Sequence, residues 1–328
     1  MISYGDISTQ TAAYFSKEFL KRGLPFLVLE KFGQGKPLPT NETKTIKFRR
    51  YESLDATPKT LVEGVTPASN TLTVTDITAT VVQYGDLITI SDVVQDTHTD
   101  PILQQATEIL GEQAALMLEN VRFNVLKAGT NVFYANDDGT PLRTEVISPI
   151  SRDVQRRVTR ALKRQFAKQI TSVVRSSPNY GTQAVAPSFI ALCHPDLESD
   201  IRNMAGFVSV ENYGSISPYE MEIGKVEDVR YIASTVIAPW ADAGANKGAM
   251  LSTTGVKADV YPILVIARDA YGIVPLKGKS AITPMVVNPK PSDSDPLAQR
   301  GHVGWKAWQT AIILNDAWMA RIEVAATA

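Results

Sequence analysis

Residues 100–127 most restrict what this chain can fold into, because they carry one unbroken helical pattern too long for a small domain to enclose. Asp100 and Pro101 supply an N-cap and a first-turn proline. Apolar side chains then recur at Ile102, Ala106, Ile109, Leu110, Met117, Val121 and Val125, the spacing of one helical face. The pattern stops at Ala128-Gly129. At 1.5 Å per residue the helix spans about 40 Å and predicts a strut with neighbours packed along one side. Gly111 inside it predicts a close packing contact, since an exposed interior glycine costs about 1 kcal/mol relative to alanine.

The residues before the strut are rich in β pattern and poor in core. Residues 11–29 have helix-compatible apolar spacing (Ala12, Phe15, Phe19, Leu20), broken at Gly23 and Pro25. Residues 31–41, with Gly33, Gly35, Pro37 and Pro39, predict an extended arm unable to pair regularly. Residues 45–51 alternate, placing Ile46 and Phe48 opposite Lys47 and Arg49. After a loop holding Pro58, Gly64 and Pro67, residues 71–82 alternate again, with a phase change near Asp76 that predicts a bulge. Tyr84-Gly85-Asp86 predicts a turn into residues 87–90. The two strands and their loop form a hairpin too thin in apolar content to stand alone, so it must lie on another surface.

A second helix is predicted over 151–168. Val154, Val158, Ala161 and Leu162 face inward, and Arg152, Arg156, Arg160 and Arg164 form an outward stripe. A solvated face, packaged nucleic acid and acidic groups of a neighbour all fit that stripe. No aromatics interleave it to stack bases. From Pro187 short apolar strands (188–192, 229–232, 261–267, 282–287) alternate with Gly/Pro/Asn loops, giving a second α+β region. Residues 289–296 read as a polar connector, and two last strands are predicted at 305–314 and 318–324.

Composition excludes more than it assigns. With Lys+Arg 33 against Asp+Glu 34, no global field recruits nucleic acid or an anionic membrane. The single Cys193 rules out an internal disulfide framework, and no apolar run has membrane-spanning length. The first ten residues lack a signal-peptide pattern, which predicts assembly in the cytosol. Neither a phosphate-binding P-loop nor a strand-linked GxGxxG occurs, and Gly33-Gln34-Gly35 leads into prolines rather than a helix. His98, His194 and His302 are far apart, so neither a metal site nor a cofactor is expected. Cys193-His194 is the one nucleophile-like pair, but adjacent strand residues point to opposite faces, so a buried thiol is expected instead of a hydrolase dyad. Glu227-Asp228 are similarly adjacent, and Asp293 with Asp295 makes only a weak cation pair.

Collinear runs along nearly the whole chain resemble one family. TAAYFSKEFLKRG at 11–23, LEKFGQGKPLP at 29–39 and TIKFRRYE at 45–52 are similar to the amino-terminal signature of tailed-phage major capsid proteins of the N-four-phage type. Further runs lie at 84–86, 96–101, 111–114, 127–135, 194–202, 224–232 and 301–306. The resemblance implies the Hong-Kong-type (HK-type) capsid fold, an α+β architecture. It implies an N-terminal arm (1–44), an extended loop region (45–92), a peripheral domain with the spine helix (93–184, completed by 299–328) and an axial domain (185–298). The chain would then assemble into hexamers and pentamers of an icosahedral head enclosing double-stranded DNA. Lys36, Arg49, Arg50, Lys59 and Glu63 are the expected assembly contacts, and the Arg152, Arg156, Arg160, Arg164 stripe faces the interior or a partner. Expected partners are a portal protein, a separate scaffolding protein, a cement or decoration protein, and DNA by non-specific contact. Some relatives join subunits by a Lys–Asn isopeptide bond; Lys59 has the position for it, but no acceptor is identifiable from sequence. An encapsulin-like compartment and, remotely, a Cys/His hydrolase are the alternatives.

Overall fold

A computed structural model describes residues 27–39, 41, 43–67, 69–92, 102–136, 142–174, 182–213, 218–276, 282–287, 291 and 296–328. The strut is present as helix α1 (Ile102–Leu126). Its buried seam runs Ala106, Leu110, Ala114 and Leu118, in steps of four, and ends on Phe123 and Leu126. Ile109, expected inward, is exposed because it lies beside that seam. Gly111 is buried. The proposed cap at Asp100-Pro101 and all but the last three residues of the helix-compatible segment 11–29 lie outside the described residues.

The first strands are β1 (Gln34–Gly35), β2 (Thr45–Tyr51), β3 (Val74–Thr80) and β4 (Val82–Ser91). Then follow β5 (Val132–Tyr134), β6 (Ile170–Val174), β7 (Thr182–Cys193), β8 (Phe207–Ser209), β9 (Glu222–Val226) and β10 (Val229–Ala233). The last are β11 (Val260–Ile266), β12 (Tyr271–Pro275), β13 (Ile282–Val287), β14 (Arg300–Ile313) and β15 (Met319–Ala325). One sheet has the order β1-β12-β14-β13, with β4 on the other edge of β14. A second has the order β5-β15-β11-β7-β10-β9-β8, with β6 added to β7. β2 and β3 pair only with each other.

Helix α1 joins the two sheets. Its seam packs on Ile90, Val303, Trp305 and Ala307 of the first sheet. Its last turn, Phe123 and Leu126, packs on Ile190, Leu192, Leu264 and Ile266 of the second. The opposite face of that second sheet is covered by helix α2 (Arg152–Arg164) and helix α3 (Glu198–Arg202) through Val154, Val158, Leu162, Leu197 and Ile201. With both faces covered, β11 and β15 are buried at every residue; β11 therefore reads as a continuous apolar run without alternation, while β15 breaks its run with Arg321 and Glu323, which pair with each other at 2.9 Å. Each fully buried aliphatic there contributes about 1.5–3 kcal/mol.

Several local expectations change. Gln34 and Gly35 do pair, in parallel with Gly272 and Ile273, and Leu38 bridges Leu276. One short parallel contact precedes Pro37 and the other falls between Pro37 and Pro39, so the prolines' missing N–H groups are not needed. No turn occurs at Tyr84-Gly85-Asp86: β4 passes straight through it, in register with β14 from Val82↔Gln309 to Ser91↔Arg300. Gly85 serves close approach instead, since a Cβ there would lie 2.7 Å from the Trp305 carbonyl oxygen. The expected bulge near Asp76 is absent, the register running unbroken from Thr45↔Thr80 to Tyr51↔Val74. The phase change marks where the strand leaves cover, Val74 and Leu72 being exposed. Helix α2 is capped by Ser151, whose hydroxyl accepts from the Val154 N–H, and it ends at Arg164 rather than 168.

Candidate assembly surfaces

The β2–β3 hairpin has two unlike halves. At its base Ile46, Phe48 and Ala79 are buried against Leu38 and Val274, with Trp308, Ile312 and Leu314 beside them. The alternating pattern of β2 thus lies on the chain's own first sheet. Beyond Tyr51 the cover ends. Leu61 is 75% exposed, Leu72 66% and Val62 65%, with Tyr51, Leu54 and Val65 also exposed. The described residues among 52–73 form no helix or strand and hold themselves by local bonds such as Thr57 N–H to Asp55 Oδ1 at 3.1 Å. A cluster of uncovered apolar side chains rimmed by polar ones marks an interaction surface.

The five expected contact residues lie on this hairpin or beside it, and most are engaged within the chain. Lys36 donates to the Lys47 carbonyl at 3.2 Å and sits 5.3 Å over the Phe48 ring, clamping the arm to β2. Arg49 forks onto its cross-strand partner Asp76 at 2.9 and 3.1 Å, holding that carboxyl below its usual range. Arg50 stands 3.8 Å from Glu52. Lys59 donates to Asn70 Oδ1 at 2.8 Å across the loop. Glu63 is exposed in the turn before Gly64, whose φ of 78° is one a glycine takes freely. Arg49 and Lys59 therefore shape the hairpin from within.

A second site escaped sequence reasoning. The buried Glu119 and Arg122 of α1 face each other at 2.7 Å. Arg122 also reaches Glu30 at 3.1 Å and Gln309 at 2.9 Å. Glu119 accepts the Leu29 backbone N–H at 3.0 Å, and the Tyr271 hydroxyl donates to the Leu29 carbonyl. Burial pushes the Glu119 carboxyl up, and the Arg122 charge opposes this. The arm is thereby pinned to the strut where β14 crosses it. Two charged residues three apart, flanked by Leu118 and Phe123 on the apolar face, were the available signal.

The arginine stripe is on the outer face of α2, as its spacing predicts. Arg156 pairs with Glu227 (Nε–Oε1 2.9 Å) and Lys163 pairs with Asp228, both carboxylates in the β9–β10 turn. Arg152 adds a favourable charge to Glu227, whose carboxyl is held low chiefly by Arg156. Among the described residues Arg160 and Arg164 have no carboxylate partner; with Arg156, Thr159 and Lys163 they line a shallow hollow.

The structure does not assemble the nucleophile pair. Cys193 ends β7 fully buried, its thiol on the Ile232 carbonyl at 3.5 Å and its pKa pushed up by burial. His194 instead accepts the Asp196 N–H at 3.2 Å and lies against Tyr261. Among the described residues no group of three or more His, Cys, Asp or Glu could hold a metal ion, and no helix is long and apolar enough to cross a membrane. His98, Asp293 and Asp295 lie outside the described residues.

A sequence model of the phage capsid protein family matches residues 74–322. Among curated proteins none matches by sequence. Among solved structures, the chain is similar to the capsid of Ralstonia phage GP4 (TM-score 0.63, 12% identity, 90% of this chain and 87% of that one). It is similar to the cyanophage Pam1 capsid (TM-score 0.62, 13% identity, 100% and 94%). A lower similarity is to the holo-SrpI encapsulin complex of Synechococcus elongatus (TM-score 0.51, 11% identity, 89% and 85%).

Proposed function

Because the chain belongs to the phage capsid protein family, has the HK-type fold and acts as a major capsid protein forming a phage head shell, we propose that it builds that shell as hexamers and pentamers enclosing double-stranded DNA. The observation that carries the proposal is the hairpin: its base is buried on its own subunit, while its far half presents apolar side chains with no cover. Those side chains gain burial only on a neighbouring copy, so stability accrues with assembly. The protein acts as a structural subunit and not as an enzyme. Its partners are copies of itself, a portal protein, a separate scaffolding protein, a cement or decoration protein, and DNA by non-specific contact, in a virion assembled in the host cytoplasm.

The four-part division into arm (1–44), extended loop (45–92), peripheral domain (93–184 with 299–328) and axial domain (185–298) is kept as part of this proposal, with one adjustment. Strand pairing supports moving β5, β6 and β15 to the axial side and β12 and β13 to the peripheral side. Deleting residues 53–70 tests the central claim. The expected product is a soluble, folded subunit that forms no shells under the electron microscope; normal-sized particles from that deletion would overturn it. The encapsulin likeness supports a second reading, a compartment loaded with protein. Purified particles holding a cargo protein and no DNA would favour it.

A further inference from the structure

The end of α2 is built against its own local preferences. The Phe166 N–H bonds the Lys163 carbonyl and the Ala167 N–H bonds the Leu162 carbonyl, both at 3.1 Å. These two bonds make a Schellman closure, with Phe166 at the position that glycine usually fills. Its φ is 54°, where a Cβ crowds the following carbonyl. Its ring gains nothing in return within the subunit, being 87% exposed. Two and six residues before Phe166 lie Arg164 and Arg160, the two cations of the stripe without carboxylate partners among the described residues. A strained, uncovered aromatic thus closes the helix that carries two guanidinium groups without a carboxylate partner among the described residues.

We propose that this face of α2 is the docking site for an acidic helical segment of a second protein, with carboxylates on Arg160 and Arg164 and an apolar side chain on Phe166. The face already accepts carboxylates, since Glu227 and Asp228 of the same chain occupy Arg156 and Lys163. Guanidinium groups one helical turn apart meet carboxylates at the same spacing on a partner helix. A phosphate backbone would use the arginines equally well but has nothing to place on Phe166. The aromatic is what selects a protein over a DNA duplex, whose bases are already stacked on one another. The inference goes beyond the shell reading by giving the stripe a partner of stated chemistry.

The test uses the full chain and three fluorescent probes in about 0.1 M salt. One is a helical peptide of about 20 residues with glutamates four apart and a terminal leucine. The second is that peptide with the leucine changed to serine, and the third is a DNA duplex. The double variant Arg160→Gln/Arg164→Gln should weaken the leucine peptide about three- to tenfold. Phe166→Gly should weaken the same peptide about tenfold, yet raise the unfolding temperature by about 2 °C by removing the strain. It should leave serine-peptide and duplex binding unchanged. No measurable peptide binding, or a lower unfolding temperature for Phe166→Gly, would overturn the proposal. So would a duplex that binds more tightly than the peptide and is lost with the arginines; the face would then be a phosphate surface. Shell formation is scored separately by electron microscopy, so failure of the shell reading and failure of this one are distinguishable.

Discussion

Arg122→Met should be among the most damaging single changes in the subunit, and the structure says by how much and at what pH. The side chains of Arg122 and Glu119 are 3% and 0% exposed and lie 2.7 Å apart. Removing one partner of such a pair strands the other charge in the interior, a loss of about 3–5 kcal/mol. That is a large share of the roughly 5–15 kcal/mol that holds a domain folded. Gln309 loses a donor at 2.9 Å in the same step, and Glu30 loses its ion pair. The loss should depend on pH. Burial already raises the Glu119 carboxyl, and without Arg122 the opposing charge is gone, so it rises further. A carboxyl whose folded pKa is raised is stabilising when protonated. That stabilisation is full below the ordinary carboxylate range and is lost as pH climbs through the folded value. Acidifying from about pH 7.5 to about pH 5.5 should therefore recover part of the deficit in the variant. Adding Glu119→Gln, which keeps an acceptor for the Leu29 N–H without the charge, should recover part of it at neutral pH. The assay is urea unfolding followed by tryptophan fluorescence, at concentrations where gel filtration shows unassembled subunit. A deficit under about 1 kcal/mol, or one indifferent to both pH and Glu119→Gln, would refute the reasoning.

Other predictions follow from single contacts. Gly85→Ala should destabilise the subunit by about 1–3 kcal/mol, because the new methyl meets the Trp305 backbone oxygen at 2.7 Å and the β4–β14 ladder must shift; urea unfolding measures it. Cys193 should resist a thiol reagent in native buffer and react fully in denaturant, since the buried thiol holds its proton; rapid labelling without unfolding would contradict its placement. Glu323→Ala should lower the unfolding midpoint sharply, because the buried carboxylate holds Arg143 at 2.6 Å and Arg321 at 2.9 Å; a change within experimental scatter would count against that network.

Periodicity made the long elements legible. The spacing in α1, the alternation of β2 and the apolar runs of β11 and β13 each carry their own signal, and the structure places them within a few residues. Less legible were features whose cause lies far along the chain. Gly85 resembles a turn residue beside Asp86, and only its approach to Trp305 on β14 reveals the ladder. Strands β9 and β12 are five residues each and take their identity from partners, β9 from β10 and β12 from β14. Among the expected contact residues, position was readable and engagement was not: Arg49 was visible as a charge on the outer face of β2, but its fork onto Asp76 needed the hairpin register. Phe166 was hidden because nothing in a sequence shows that a helix will close on a left-handed phenylalanine.

Gln309 has a consequence for how neighbours sense one another. It pairs with Val82, the residue where the hairpin enters β4, and its side chain bonds the Arg122 that holds Glu30 of the arm. The arm and the hairpin therefore end on a common joint. Suppose one neighbour takes hold of the arm and another takes hold of the hairpin. Any displacement of that joint favouring the first contact alters the free energy of the second, and reciprocity requires an equal change in return. A growing lattice of such subunits would accept or reject its next member according to contacts already made on the far side of the same chain.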